Sequence, residues 1–433
     1  MHMIQDNIRS NNMLTILAAY ICIFYPLTDL GLRNVIGWTF LFGYWLLNFA
    51  IRGGRIYLTK YRIAYMWMAF VVLIFFLMPN AKNDTKSLMA LIISIGICVL
   101  YILSTEINCG DIQKMMKIFI ITAVLFSVYI IFCRIFPSIY LNTILPLLSG
   151  ADRTEILRLS RLGYGAHIAN SITYGPYVIS IAAFFCLGDM LVGMNIIPRT
   201  KALVYEVLFI VAILCEGRRS ELVGLIISAF IVYMVSTPNN TKIMLKRLGA
   251  LLGIIIIGLI VVMLLTRYGF LSRFVNTLDL LKSGISINDL NKLSSSRFYL
   301  WQNAWALFQS KPIFGIGWGG FSENVVSKVN NVHNCYLQFL CEMGIVGCVA
   351  IILPMFLLLG SSMRKLKSIM KKQYSDSLAG NALIISVGMQ LFFLLVFALD
   401  PVFYKGYYHM FYIILILLFE YSIKHNRQIS EVV

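Results

Sequence analysis

Ala382–Leu399 reads ALIISVGMQLFFLLVFAL, eighteen residues without a charge. At 1.5 Å of rise per residue such a helix is about 27 Å long, close to the roughly 30 Å hydrocarbon core of a bilayer. Runs of the same kind recur along the chain: Met13–Gly31, Asn34–Ile51, Ala64–Met78, Leu88–Leu103, Ile118–Phe136, Ile172–Met194, Ala202–Leu214, Glu221–Ser236, Leu248–Leu265, Cys335–Gly360 and Tyr408–Ile423. They predict an all-α, polytopic membrane protein with about twelve transmembrane helices, so that residues 1–433 form a single integral membrane domain.

Composition agrees. Of 433 residues 59% are apolar and 13% charged, with a mean hydropathy of +0.82, whereas soluble domains are near half apolar and a quarter charged. The first apolar run is as long as those that follow, so it reads as a retained helix rather than a cleaved leader.

Basic residues orient the chain, because short loops retained in the cytoplasm carry the excess of Lys and Arg. With both ends inside, the inner connections hold Arg52, Arg55, Lys60, Arg62, Lys114, Lys117, Arg199, Lys201, Lys242, Lys246 and Arg247, and the run Arg364, Lys365, Lys367, Lys371, Lys372. Short outer loops hold Arg33, Lys82, Lys86 and Lys405. Two long connections are expected on the outer, periplasmic side: residues 137–171, with Arg153, Arg158, Arg161 and His167, and residues 267–334. Together with the Arg218–Arg219 turn they put positive charge outside, beyond what retention explains of the net +17. An anionic partner at the membrane face, or simple contact with lipid headgroups, accounts for such charge. Nucleic acid is excluded as a partner, since these arginines face away from the cytoplasm and no binding module accompanies them.

The nine cysteines lie mostly in apolar segments and behave as small hydrophobes. Cys335 and Cys341 are not spaced as a metal or disulfide pair, and no metal is expected.

The second long loop carries the chemistry. Ser294–Ser296 supply helix caps, after which Phe298, Trp301, Trp305 and Phe308 recur at three- and four-residue steps until Lys311–Pro312. This predicts an amphipathic helix whose aromatic face meets either the membrane interface or the tops of other helices. Arg297 stands in its first turn, where the helix dipole favours an anion. The glycines of PIFGIGWGGF (residues 312–321) lack the Gly-Lys-Ser/Thr ending of a phosphate loop and read as a tight turn. His333 and Asn334 mark the entry to the next span, followed by Tyr336, Gln338 and Glu342. An imidazole at a water–membrane boundary suits proton transfer. Glu342, about two turns inside the span, needs a partner or a proton, and Asp400 is a lesser candidate of the same kind.

These stretches resemble a known family. RFYLWQNAWALFQSKPIFGIGWGGF (297–321) and HNCYLQFLCEMGIVG (333–347) look like the signature region of the O-antigen ligase and O-antigen polymerase superfamily. They share its Arg-led helix, its Pro-x-x-Gly-x-Gly turn and its His-Asn entering a helix with Glu-x-Gly-x-x-Gly. GRRSELVG (217–224) resembles the family's arginine turn, with Arg219 on the essential arginine and Arg218 where a small hydroxyl residue is commoner.

The resemblance implies a metal-independent, inverting glycosyltransferase in the bacterial inner membrane, with its active site on the periplasmic side and no cofactor. Its donor is a glycan carried on polyprenyl pyrophosphate; membrane lipids, a chain-length regulator and a flippase are the further partners implied. His333, Arg219 and Arg297 take the catalytic places, and Arg218, Arg153, Arg158, Arg161, Asn334 and Tyr336 help to bind substrate. The motif at 333–347 looks closer to the polymerase version. Ligation of glycan to lipid A core stays open, as does a lipid-linked oligosaccharide flippase, although the charges gather at one face rather than at mid-membrane.

Overall fold

The computed structural model describes residues 13–27, 30–51, 108–148, 153–161, 163–166, 174–192, 197–236, 297–325, 331–372, 377–400 and 406–432, with a few isolated positions besides. Among these the regular structure is helical, without strands. The principal helices are α1 (Met13–Ala19), α2 (Leu30–Ile51), α3 (Cys109–Ile135), α4 (Arg153–Arg161), α5 (Tyr174–Val192), α6 (Arg199–Glu216) and α7 (Arg219–Ser236), followed by α8 (Arg297–Ser310), α9 (Gly320–Asn324), α10 (Cys335–Lys372), α11 (Ser377–Phe397) and α12 (Gly406–Val432).

Five described helices are long and apolar enough to cross a membrane: Cys109–Ile135, Tyr174–Leu191, Arg219–Ser236, Cys335–Ile369 and Leu378–Phe397. Leu14–Phe24 and Tyr408–Ile423 are shorter apolar helices. Of the about twelve spans expected, five are found among the described residues. α6 drops out because Arg199, Lys201, Glu206 and Glu216 fall within its 18 residues. The predicted runs Ala64–Met78, Leu88–Leu103 and Leu248–Leu265 lie almost wholly outside the described residues, as do His167 and residues 267–296 of the second long loop.

The quoted run becomes α11, the centre of the bundle. It packs on α5, α7, α10 and α12, and its residues from Leu378 to Phe397 are nearly all buried. Aromatic side chains fill that core, with Phe184 and Tyr177 edge-on to Phe392 and Phe393 edge-on to Tyr408. A polar seam runs through it. Gln390 Nε2 donates to Ser362 of α10 at 3.0 Å and to Ser386 at 3.1 Å, and Ser386 Oγ donates to the Leu415 carbonyl of α12 at 2.6 Å. Where lipid is as apolar as leucine, such bonds help hold helices together.

The outward faces are apolar too. Ile121, Leu125, Val128 and Phe132 on α3, and Ile345, Val349, Leu353 and Phe356 on α10, are exposed at three- and four-residue steps. A soluble protein rarely shows such stripes, whereas a bilayer solvates them. At the end of the bundle where α3 begins, Asn108 caps that helix by accepting from Asp111 N at 2.7 Å, and Asp111 accepts from Leu14 N and Thr15 N at 3.0 and 2.8 Å, which caps α1.

α10 departs from the continuous span expected over Cys335–Gly360. It breaks at Gly344, whose φ 66° and ψ −170° lie in a region reserved for glycine. In an unbroken helix the N–H groups of Ile345 and Val346 would reach the carbonyls of Cys341 and Glu342. Instead the 312–317 loop is spliced into the gap. Ile316 N and Gly317 N donate to Cys341 O and Glu342 O at 2.9 and 3.0 Å, and Ile345 N and Val346 N donate to Pro312 O and Ile313 O at 2.8 and 3.3 Å. These four backbone groups at the break are thus each paired with the loop.

α8 forms where expected and lies on α10, but the buried stripe is not the aromatic one. Leu300 and Ala304 are buried with Phe321, Val325, Val332 and Cys341, and Trp301, Leu307 and Phe308 pack partly against them. Trp305 and Tyr299 are exposed, so apolar residues occupy both sides of α8 and its amphipathicity is weak.

Candidate active site at one end of the bundle

α6 ends at Gly217, whose φ of 75° is open to glycine, and its N–H returns to Leu214 O at 2.9 Å. Arg218 follows, and its carbonyl accepts from Leu222 N at 3.2 Å, so α7 starts at once. The pair Arg218–Arg219 thus sits at the tip of a sharp helical hairpin.

The two arginines differ. Arg218 is 5% exposed, and its Nε donates to Glu221 Oε1 at 2.9 Å while Nη2 bridges Glu221 and Asp400 Oδ2. Ser220 Oγ donates to the other Glu221 oxygen at 2.7 Å. Arg219 is half-buried beside this cluster.

Leu399 and Asp400, just past the end of α11, gather the rest. Arg297, in the first turn of α8, donates through Nη1 to Leu399 O. Cys335, the first residue of α10, directs its thiol to Asp400 O at 3.2 Å. The turn before it places His333 at φ 55°, a left-handed conformation uncommon outside glycine. Asn334 Oδ1 caps α10 by accepting from Leu337 N at 3.1 Å, and Tyr336 OH donates to Leu394 O at 2.7 Å. Both side chains expected to bind substrate are therefore engaged within the protein. Glu342 has the partner its depth called for, with Oε1 accepting from Phe321 N at 3.3 Å.

Arg153, Arg158 and Arg161 are exposed on one side of α4, whose Ile156 is buried with Cys133, Tyr140, Leu145 and Ala166. The segment that follows α4 reaches the arginine turn: Gly165 N donates to Glu216 O at 3.0 Å, and Arg134 Nη1 to Tyr164 O at 3.5 Å.

Glu216, Glu221 and Arg134 are site neighbours that the sequence reading passed over. The available signal was a carboxylate closing an apolar run directly before a double-arginine turn. Among the described residues no group of three or more His, Cys, Asp or Glu side chains is set to hold a metal, and the described cysteines are free thiols.

Residues 205–352 match the protein family described as O-antigen ligase. That stretch supports the resemblance to the O-antigen ligase and polymerase superfamily. The O-antigen ligase-type stretch contains the Arg218–Arg219 turn, Arg297, His333 and the break at Gly344, while Asp400, Arg134 and α4 lie outside it. A protein of Haemophilus influenzae (strain ATCC 51907 / DSM 11121 / KW20 / Rd), described as uncharacterized, is 28% identical over 151 residues. That similarity spans 32% of this chain and 37% of the relative's length.

Proposed function

We propose that this multi-pass membrane protein is a metal-independent, inverting glycosyltransferase that polymerises polyprenyl-pyrophosphate-linked repeat units of a surface polysaccharide. The observation that carries the reading is the meeting of three separate segments, those of Arg219, Arg297 and His333, around Leu399–Asp400.

The acceptor hydroxyl oxygen bonds to the anomeric carbon of the donor as the carbon–oxygen bond to the diphosphate breaks. Negative charge builds on the departing polyprenyl diphosphate, and the guanidinium groups of Arg219 and Arg297 stabilise it by charge-assisted hydrogen bonds. His333 accepts the hydroxyl proton. The extended chain remains on the acceptor's carrier, and no covalent enzyme intermediate forms. Arg218, saturated by two carboxylates, positions the turn, while Asn334 and Tyr336 fix the entry of α10. Arg153, Arg158 and Arg161 offer further positive charge to the carrier's phosphates.

The site faces the periplasm of the inner membrane on this reading, because the opposite end of the bundle carries the exposed Arg199, Lys201, Arg364 and Lys367 expected of a cytoplasmic face. The family description favours a second reading, ligation of the glycan to lipid A core. Reconstitution of the purified protein with polyprenyl-pyrophosphate glycan tests both. Longer chains formed without another acceptor support polymerisation, product only on addition of lipid A core supports ligation, and transbilayer movement of intact donor without bond formation overturns both.

A further inference from the structure

Glu216 closes α6 next to the arginine turn and is 1% exposed, yet neither of its carboxylate oxygens has a hydrogen-bond partner. Burying a carboxyl in this way is costly unless something in the working protein satisfies it. Its surroundings are polar on one side only. Arg134 and Arg218 lie near enough for their charges to act on it, together with Glu221 and Tyr129. Gly165 lies directly against Glu216. At Gly165 a methyl group would sit 2.7 Å from Cys215 O and 2.9 Å from Glu216 Oε2, and the segment is held there by Gly165 N donating to Glu216 O and Arg134 Nη1 donating to Tyr164 O, with Ala166 buried behind it.

We propose that Glu216 is a glycan-binding residue of this site, taking hydroxyl or amide N–H donors of the sugar when Tyr164–Ala166 lifts. The inference rests on the glycosyltransferase reading and adds a direction to it. Arg218 is engaged by Glu221 and Asp400, so the diphosphate is assigned to Arg219 and Arg297 and the sugar lies over Glu216. A carboxylate is well suited to the sugar, since its two oxygens accept from neighbouring hydroxyls at once.

The test uses the full-length protein in detergent, with two probes: polyprenyl pyrophosphate bearing the glycan and the same carrier without it. Thermal unfolding is followed with each, and turnover of the glycan-bearing donor is measured in parallel. The wild type is stabilised more by the glycan-bearing carrier. Glu216→Gln, which keeps the shape but replaces one carboxyl oxygen by a donating amide, loses that extra stabilisation, raises KM about tenfold and leaves kcat within about threefold, as expected for loss of a hydrogen bond. Stabilisation by the bare carrier is unchanged in the variant. An undiminished glycan increment in Glu216→Gln, or none in the wild type, overturns the proposal. A glycan increment that depends on Glu216 without any turnover would instead overturn the enzymatic reading and leave the subsite standing.

Discussion

Replacing Asp400 by alanine removes one of the two carboxylates that hold Arg218, and the geometry sets what that costs. The guanidinium keeps two bonds to Glu221, through Nε and Nη2, so its charge stays neutralised and one charge-assisted hydrogen bond is lost, about 1.5–3 kcal/mol. Arg218→Ala is worse. It leaves Glu221 and Asp400, 0% and 4% exposed, without their common counter-ion, and breaking a buried pair in that way costs about 3–5 kcal/mol. The double variant Arg218→Ala/Asp400→Ala then costs little more than Arg218→Ala alone, because the carboxylate it also removes was already a liability. Unfolding of the purified variants in mixed micelles, followed by fluorescence of the six tryptophans, measures all three. An Asp400→Ala loss equal to that of Arg218→Ala, or strict additivity in the double variant, would refute the view that Arg218 is the shared clasp.

Gly344→Ala should be among the most damaging small substitutions, since the new methyl would lie 2.2 Å from Ile313 O and 2.6 Å from Phe314 N, in backbone pinned by four cross-bonds; a thermal midpoint equal to wild type contradicts this. Arg297→Lys, which keeps the charge but loses the planar fork, is expected to fold normally and to lower kcat/KM at least tenfold in the reconstituted assay. His333→Asn should retain the fold, because asparagine tolerates the left-handed conformation, while losing turnover by about a hundredfold; His333→Val should lose about 1 kcal/mol or more of stability as well, and the contrast in unfolding midpoints checks it.

The membrane class and most of the described helices were legible from apolar run length alone, because a span in lipid is written in consecutive residues. The site was legible in part. Arg297, the His333–Asn334 turn and the double arginine stand out as polar residues at helix ends. What divides Arg218 from Arg219, however, is Asp400, which is 182 positions away, and nothing local signals that pairing. The glycines of 312–321 were read as a tight turn, and Gly315, Gly317 and Gly319 do turn the chain at positive φ, but nothing local signals that this loop also repairs a broken helix whose glycine lies 27 positions beyond Gly317. For α8 the aromatic period left open whether that face meets the membrane interface or other helices, and the structure divides it, with Trp301 and Phe308 packed partly on the Leu300–Ala304 cluster and Trp305 outside.

The splice at Gly344 also has a mechanical meaning. The 312–317 loop is bonded to both halves, to Cys341 and Glu342 of the stub and to Ile345 and Val346 of the long apolar helix, so it sets the angle between them. Lengthening the loop by one residue would displace the imidazole while leaving the lipid-facing stripe of α10 in place. The place of His333 is thus set by the length and backbone of that loop, not by helix continuity.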